Sequence, residues 1–456
     1  MAYTGKDLYL AIRYNHLAKA TRILESFNLV NNEFFDNQIS YITLAVLNNS
    51  QTILEKLIEH GADVNRLSYL NYQWPLDQHF NSFETALITA TRHGNENLCE
   101  VLLKNNAKVN KTDSFSMSAL HWACSLNLVE IIKLLFKYEV NENLLDLKNQ
   151  TALDKAIQNG NSHIVYLFTK RFSLQSKLRD YLLEAIKCSN YEIFKILLEH
   201  IEGQQMKFDV NFIDDRVGSL LHYAVILSNL NNIQNERNRN RLDFSSNKQL
   251  VPVSKIKIIE NLILNGQTNV NIVNRLGETP LHMCRNIPVG RLLLDNGASM
   301  NICEVTGKMP LFTYILNSNY EMCIEMLKNG CGLENIDRLG NSLFNALINS
   351  NAPASIISLL LEAGISFNKE EWVKKRNYPQ KVVEKYPKVI DLIEYRLKNP
   401  FTLKELSRKA LRQHLNKVNH SKSILNSVFK LEKVLPTSLQ DYILLNLNKF
   451  ESIFLK

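Results

Sequence analysis

Three histidines each directly follow a leucine: His121 in Ala119-Leu120-His121, His222 in Leu220-Leu221-His222 and His282 in Pro280-Leu281-His282. Imidazole binds zinc and moves protons near neutral pH, so a recurring histidine is the first place to look for chemistry. These three occupy the same place in a repeated segment. That puts them about one repeat apart, where such a histidine is expected to bond backbone between repeats instead of gathering around a metal. The seven cysteines (Cys99, Cys124, Cys188, Cys284, Cys303, Cys323 and Cys331) are odd in number and form no CxxC pair, a poor fit to a disulfide framework or zinc ribbon. They are expected as free thiols in a reducing compartment, packed as small hydrophobes on helical faces, as Cys323 is in the string MCIEML. The carboxylates Glu202, Asp209, Asp214 and Asp215 cluster around one connector with no companion pocket and read as solvated turn residues. No GxxxxGK[ST], GxGxxG, GxSxG or HExxH string occurs. The sequence therefore nominates no catalytic residue, no metal site and no cofactor.

The remaining work of the chain is to be sought in its architecture. At 456 residues it exceeds one ordinary core. With 45% hydrophobic and 21% charged residues it should fold. Only 15 Gly and 10 Pro favour helices joined by short connectors over many tight β-turns. The net charge of +8 is spread along the chain without a dense basic block, so no nucleic-acid groove is expected. Charge interrupts the first apolar stretch, and no window approaches the roughly 18 uncharged apolar residues of a membrane span. The expectation is a cytoplasmic protein, with the nucleus open to it as well, and Asn419-His420-Ser421 is expected to be a chance triplet.

One pattern recurs: a short apolar helix, a polar turn, a longer helix with a Leu-Leu pair, then a Gly-Ala-x-x-Asn tail. Its clearest copy is ETPLHMCRNIPVGRLLLDNGASMN, from Glu278 to Asn301. Others start at Glu84 and Ser118 or end at Asn65, and weaker ones begin near Leu8, Thr151, Tyr181, Gly218, Gly307 and Gly340. Each part has a physical reason. Thr279 can cap the first helix, Pro280 at its first position forfeits no hydrogen bond, and Leu281 starts the buried face. In the second helix Val129, Ile132, Leu134 and Leu135 mix spacings of three and four. Gly61, Gly297, Gly330 and Gly364 follow second helices where a left-handed residue ends the helix.

These segments resemble the ankyrin repeat, with its period of about 33 residues. The resemblance implies an all-α solenoid of about ten helix pairs over residues 1–368. Two stretches break the period, near 67–83 (with Tyr69, Tyr72, Trp74 and Pro75) and near 230–254, and are read as surface insertions that could meet a partner.

After Asn368 the signature stops. Residues 369–399 read as a bridge of one or two helices interrupted near Pro379 and Pro387. Residues 400–456 hold amphipathic stretches too short for a stable core of their own. Within them, Thr402-Leu403-Lys404-Glu405-Leu406-Ser407-Arg408-Lys409-Ala410-Leu411 puts Leu403, Ser407 and Leu411 four apart on one helical stripe. Further on, Leu435-Pro436-Thr437-Ser438 precedes LQDYILLNL.

This small helical module resembles a SOCS box, and its place after the repeats resembles the ankyrin repeat and SOCS box family of ubiquitin-ligase substrate receptors. The resemblance implies that Thr402, Leu403, Leu406, Ser407 and Leu411 bind elongin C of the elongin B/elongin C pair, with Leu403 in an apolar pocket. It implies that Leu435 and Pro436 contact a cullin carrying a RING protein. Ser407 stands where the family more often has Cys, and Ser438 where it has a second proline, which leaves the choice of cullin open. The implied function is target recognition by the repeats and ligase recruitment by the box, without catalysis, nucleic acid or membrane. Two alternatives stand beside it: an ankyrin scaffold that recruits no ligase, and an F-box-like adaptor, against which the TLKELSRKAL string argues.

Overall fold

A computed structural model describes residues 3–26, 39–73, 79–204, 208–237, 253–264, 268–365, 367 and 370–399. The chain divides into two compact units, residues 1–206 and 207–456.

Unit one contains six helix pairs: α1 Gly5–Arg13 with α2 Leu17–Ser26, α3 Tyr41–Leu47 with α4 Gln51–Glu59, α5 Ala86–Arg92 with α6 Glu96–Lys104, α7 Ala119–Ser125 with α8 Val129–Leu135, α9 Ala152–Gln158 with α10 Ser162–Arg171, and α11 Leu178–Lys187 with α12 Tyr191–Gly203. First helices stack on first helices from α1 through α11, and α2, α4, α6 and α8 stack behind them. The pairs close a core that none could close alone. Leu87, Leu120, Leu153 and Leu182 start the buried faces of successive first helices, and Leu102, Leu135, Phe168 and Leu197 fill the second row.

The helix starts explain themselves. Ser40 Oγ accepts from Thr43 N at 3.2 Å and Thr151 Oγ1 from Asp154 N at 3.2 Å. Asp154 answers by accepting Thr151 N at 2.8 Å, closing a capping box. Between the two helices of a pair sits one left-handed residue: Asn15, Asn49, Gly94, Asn127, Gly160 and Ser189 in this unit. Gly61, Gly297, Gly330 and Gly364 have φ of 85°, 90°, 79° and 97°, the helix-ending conformation their positions require.

The stretch near 67–83 is not a plain loop. It forms an antiparallel hairpin, β1 Leu67–Gln73 with β2 His79–Thr85, in the register Leu67↔Thr85, Tyr69↔Phe83 and Asn71↔Asn81. The fold stays all-α around this one ribbon, the only sheet among the described residues.

Unit two contains four pairs: α13 Leu220–Arg237 with α14 Val253–Leu264, α15 Pro280–Met283 with α16 Ile287–Asp295, α17 Pro310–Leu316 with α18 Tyr320–Lys328, and α19 Leu343–Asn349 with α20 Ala354–Glu362. Together the described residues hold ten pairs, the number the repeat pattern implies. The second expected insertion begins as helix, because α13 runs on to Arg237.

Three short helices follow where one or two were expected: α21 Glu371–Lys374, α22 Gln380–Lys385 and α23 Pro387–Lys398. Pro379 caps α22 and Pro387 opens α23, so both prolines start helices and neither kinks one. Trp372 stacks on Phe344 with ring centroids 5.9 Å apart, and Val389 and Ile393 are fully buried as α23 packs on α20. Tyr378 Oη donates to Glu394 Oε1 at 2.5 Å. These helices close the end of the last repeat.

Candidate interaction surfaces

The recurring histidines have structural partners. His121 Nδ1 accepts from Ser118 N at 3.2 Å, and its Nε2 meets the Gln150 carbonyl of the next repeat at 3.3 Å. His222 does the same with Ser219 N at 3.1 Å and Glu278 O at 3.0 Å, and His282 with Thr279 N at 3.0 Å and Lys308 O at 3.2 Å. An N–H pointing at Nδ1 and a carbonyl at Nε2 fix the Nε2–H tautomer in all three. Burial holds each imidazole below its ordinary pKa, against the opposing pull of the carbonyl. They are neutral clamps between repeats; His222 and His282 stand on successive helix pairs, as expected, but His121 lies three pairs earlier in the chain than His222 and not one. Among the described residues no group of three His, Cys, Asp or Glu could hold a metal.

The cysteines divide. Cys99, Cys124, Cys284, Cys323 and Cys331 are buried as expected, and burial pushes the thiol of Cys99 up to about 11 and that of Cys284 to about 12. Cys188 and Cys303 are exposed, a correction to the expectation for all seven. Both stand outside helix interiors, Cys188 just past the end of α11 and Cys303 in the turn after Asn301.

The loose carboxylate cluster is turn chemistry. Asp214 Oδ1 accepts the amides of Arg216, Val217 and Gly218 at 2.8–3.1 Å, its Oδ2 takes the Tyr223 hydroxyl at 2.5 Å, and these donors hold its pKa low against burial. Asp209 Oδ1 accepts Asn211 N, and Asp215 pairs with Arg275. The Asp214 arrangement repeats at Asp113, Asp146, Asn274, Glu304 and Asp337, each folding a turn ahead of a first helix. Consecutive turns are bonded edge to edge: Leu147 N donates to Phe115 O, Val305 N to Leu276 O, and Arg338 N to Thr306 O. Between α10 and α11 the connector is too short for such a turn, and Leu174 there takes a φ of 56°.

The hairpin joins this row in unit one. Phe83 N donates to Ser114 Oγ at 2.8 Å, tying β2 to the turn of Asp113. Its two faces are inverted relative to an ordinary ribbon. Ser68, Ser82 and Glu84 point inward and are fully buried, whereas Leu67 and Phe83 are 39% and 45% exposed. Ser68 Oγ bonds Ser40 and Thr43, and Glu84 accepts Arg92 Nη1 at 3.0 Å and Thr89 Oγ1 at 2.7 Å. The Arg92 guanidinium lies over the Trp122 ring at 4.3 Å, and Trp122 Nε1 donates to Asp113 Oδ2 at 2.8 Å. A polar network thus locks the ribbon to α5 and α7. The sequence carried one signal for the ribbon, aromatic residues (Tyr69, Tyr72, Phe80 and Phe83) on either side of Trp74-Pro75.

The residues implied to bind elongin and cullin (Thr402, Leu403, Leu406, Ser407, Leu411, Leu435 and Pro436) lie outside the described residues. Among the described residues no helix is long and apolar enough to cross a membrane.

Comparison with known proteins agrees with both modules. The family model for ankyrin repeats matches residues 69–146 and 87–180, and the SOCS box model matches residues 399–444. Notch homolog protein 1 of Xenopus laevis is 33% identical over 152 residues, covering 33% of this chain and 6% of that protein, and the human homolog is 31% identical over 152 residues, 5% of its length. The chain therefore spans only a small fraction of these curated relatives, and the likeness concerns the ankyrin repeats alone. Both matched modules are adaptor and interaction modules and not catalytic domains. With ankyrin repeats followed by a SOCS box, the chain matches the ankyrin repeat and SOCS box family.

Proposed function

We propose that this protein is the substrate-recognition subunit of an elongin-containing cullin-RING ubiquitin ligase. The observation that carries the proposal is the SOCS box match at 399–444 downstream of an ankyrin stack, with both recognition strings inside the matched segment. In this reading Leu403 enters the apolar pocket of elongin C, with Thr402, Leu406, Ser407 and Leu411 along the same helix. Leu435 and Pro436 meet the cullin and its RING protein. The repeats hold the target protein. Helices α21 to α23 pack on the last repeat and lead into the box, and a target bound to the stack would be brought near a ubiquitin-loaded enzyme. Ubiquitination then gains from raised effective concentration, with no catalytic group supplied by this chain. The proposed domains are ankyrin repeats to 368, the helical bridge 369–399 and the box 400–456, and the proposed setting is the cytoplasm with access to the nucleus.

The test is a pull-down of the full-length chain with purified elongin B and elongin C, beside a Leu403→Asp, Leu411→Asp double variant. Capture by the wild type, lost in the variant, supports the proposal. A folded wild type that captures no elongin sinks it and leaves an ankyrin scaffold with a helical end. Ser438→Pro, assayed against a panel of purified cullin–RING pairs, then reads whether that position sets the cullin.

A further inference from the structure

Unit one presents a row of apolar side chains, exposed or half-exposed, along its ribbon and turns. Tyr69 and Phe83 face each other across the ribbon with ring centroids 5.1 Å apart, on the side opposite the buried serines. Leu67 flanks them. The Phe83 bond to Ser114 and the Leu147 bond to Phe115 carry the strip across two further turns, ending at Leu147, which is 68% exposed. The ribbon is anchored by Glu84, Arg92 and the serine cluster, so these outward side chains are not what holds it in place. Exposed apolar side chains lined up on a rigid support mark a docking surface.

The carboxylates of the ribbon and its turns are committed: Glu84 to Arg92, Asp113 to Trp122 and its turn, Asp146 to Lys155 at 2.6 Å. The lysines are not neutralised. Lys111 Nζ meets only the neutral carbonyl of Asn65, and Lys148, at the tip of the last turn, forms no ion pair among the described residues.

We propose that this strip, running from Leu67, Tyr69 and Phe83 through Phe115 to Leu147 and flanked by Lys111 and Lys148, docks an extended acidic and apolar segment of the target protein. The proposal rests on the reading of the chain as a receptor that captures a target. Aromatic and aliphatic side chains of the segment would cover Tyr69, Phe83 and Leu147, and its carboxylates would face the lysines.

Fluorescent peptides of about twelve residues test it by anisotropy on the full-length chain, a length that spans the strip in extended form. One alternates Glu with Phe and Leu, a second replaces Glu by Lys, and a third replaces Phe and Leu by Ser. The first should bind, and both controls should bind at least about tenfold more weakly. Tyr69→Ser with Phe83→Ser, and separately Leu147→Ser and Lys148→Glu at the more exposed end, should each weaken the first peptide without lowering the melting temperature. Absent binding, equal binding of all three peptides, or variants that bind like wild type would overturn the proposal. So would a wild-type dimer in sedimentation that Tyr69→Ser with Phe83→Ser dissolves, since the strip would then be covered by a second copy. Elongin capture by a preparation that fails the peptide test refutes the docking strip alone, and the reverse pattern refutes the ligase reading alone.

Discussion

His222 Nε2 donates to the carbonyl of Glu278 across 56 residues of sequence, while the same bond spans 29 residues from His121 to Gln150 and 26 from His282 to Lys308. The three distances agree within 0.3 Å, at 3.0, 3.3 and 3.2 Å. The bond between neighbouring repeats thus keeps its geometry across the longer sequence separation from His222 to Glu278.

Replacing residues 238–252 with a flexible Gly-Ser linker of the same length should leave stability almost untouched. Thermal melts of the two chains should agree within about 3 °C. A large drop would mean that the insertion packs against the repeats.

The buried histidines set an acid limit. Each folded pKa lies below its ordinary 6.5 because burial disfavours the imidazolium. Below that value the unfolded chain binds protons that the folded chain refuses, so stability falls as pH drops through 6.5 toward the folded values and is fully present above it. Denaturant midpoints measured from pH 8 to pH 5 should be flat at first and then decline, before the carboxylates titrate. His222→Leu should flatten the decline by about one proton's slope while lowering stability at pH 8 through the lost clamp. A midpoint that is flat down to pH 5 would refute this.

Much of the fold was legible because repeats advertise themselves. Leu-His pairs, hydroxyl caps and terminal glycines recur with a period no single globular core would impose, and the clamp role of the histidines followed from that period alone. The hairpin was not legible as a ribbon because its inner face is mostly polar: Ser68, Ser82 and Glu84 are buried beside Leu70, while Leu67 and Phe83 are outside. The turn-forming role of Asp214 was hidden for a related reason. A carboxylate that accepts three amides within four residues looks, in sequence, like any other solvated acid. The elongin and cullin strings came from resemblance, and their residues lie outside the described structure.

The Glu84–Arg92 pair has side chains only 0% and 5% exposed, and Arg92 also stacks on Trp122. Arg92→Ala removes the guanidinium that pairs with a fully buried carboxylate, which should cost about 3–5 kcal/mol. Glu84→Gln with Arg92→Met removes both charges while retaining length, and should recover most of that loss. Chemical denaturation of the three variants decides it. If the double variant is as unstable as Arg92→Ala, the guanidinium stacking on Trp122, and not the ion pair, holds the hairpin.

The last prediction concerns a shortened repeat. Helix α15 has four residues where α7 has seven, and its early end leaves carbonyls that neighbouring repeats satisfy: Tyr314 Oη donates to Leu281 O, and Asn229 Nδ2 to Met283 O at 2.8 Å. The space beside the shortened helix is filled by Met322, fully buried on α18, which packs against Gly290 on α16. A methyl group on Gly290 would stand 2.8 Å from Met322 Sδ and closer still to its Cε. Gly290→Ala should therefore destabilise by about 1–3 kcal/mol through overpacking, even though alanine favours a helix. Met322→Ala alone opens a cavity and should cost about 2–5 kcal/mol. Combined, the added methyl occupies part of the space that the methionine vacates, so the double variant should be more stable than the two single costs predict. Additive costs in a chemical-denaturation cycle would show that Met322 can step aside freely and that glycine at position 290 is not required by its presence.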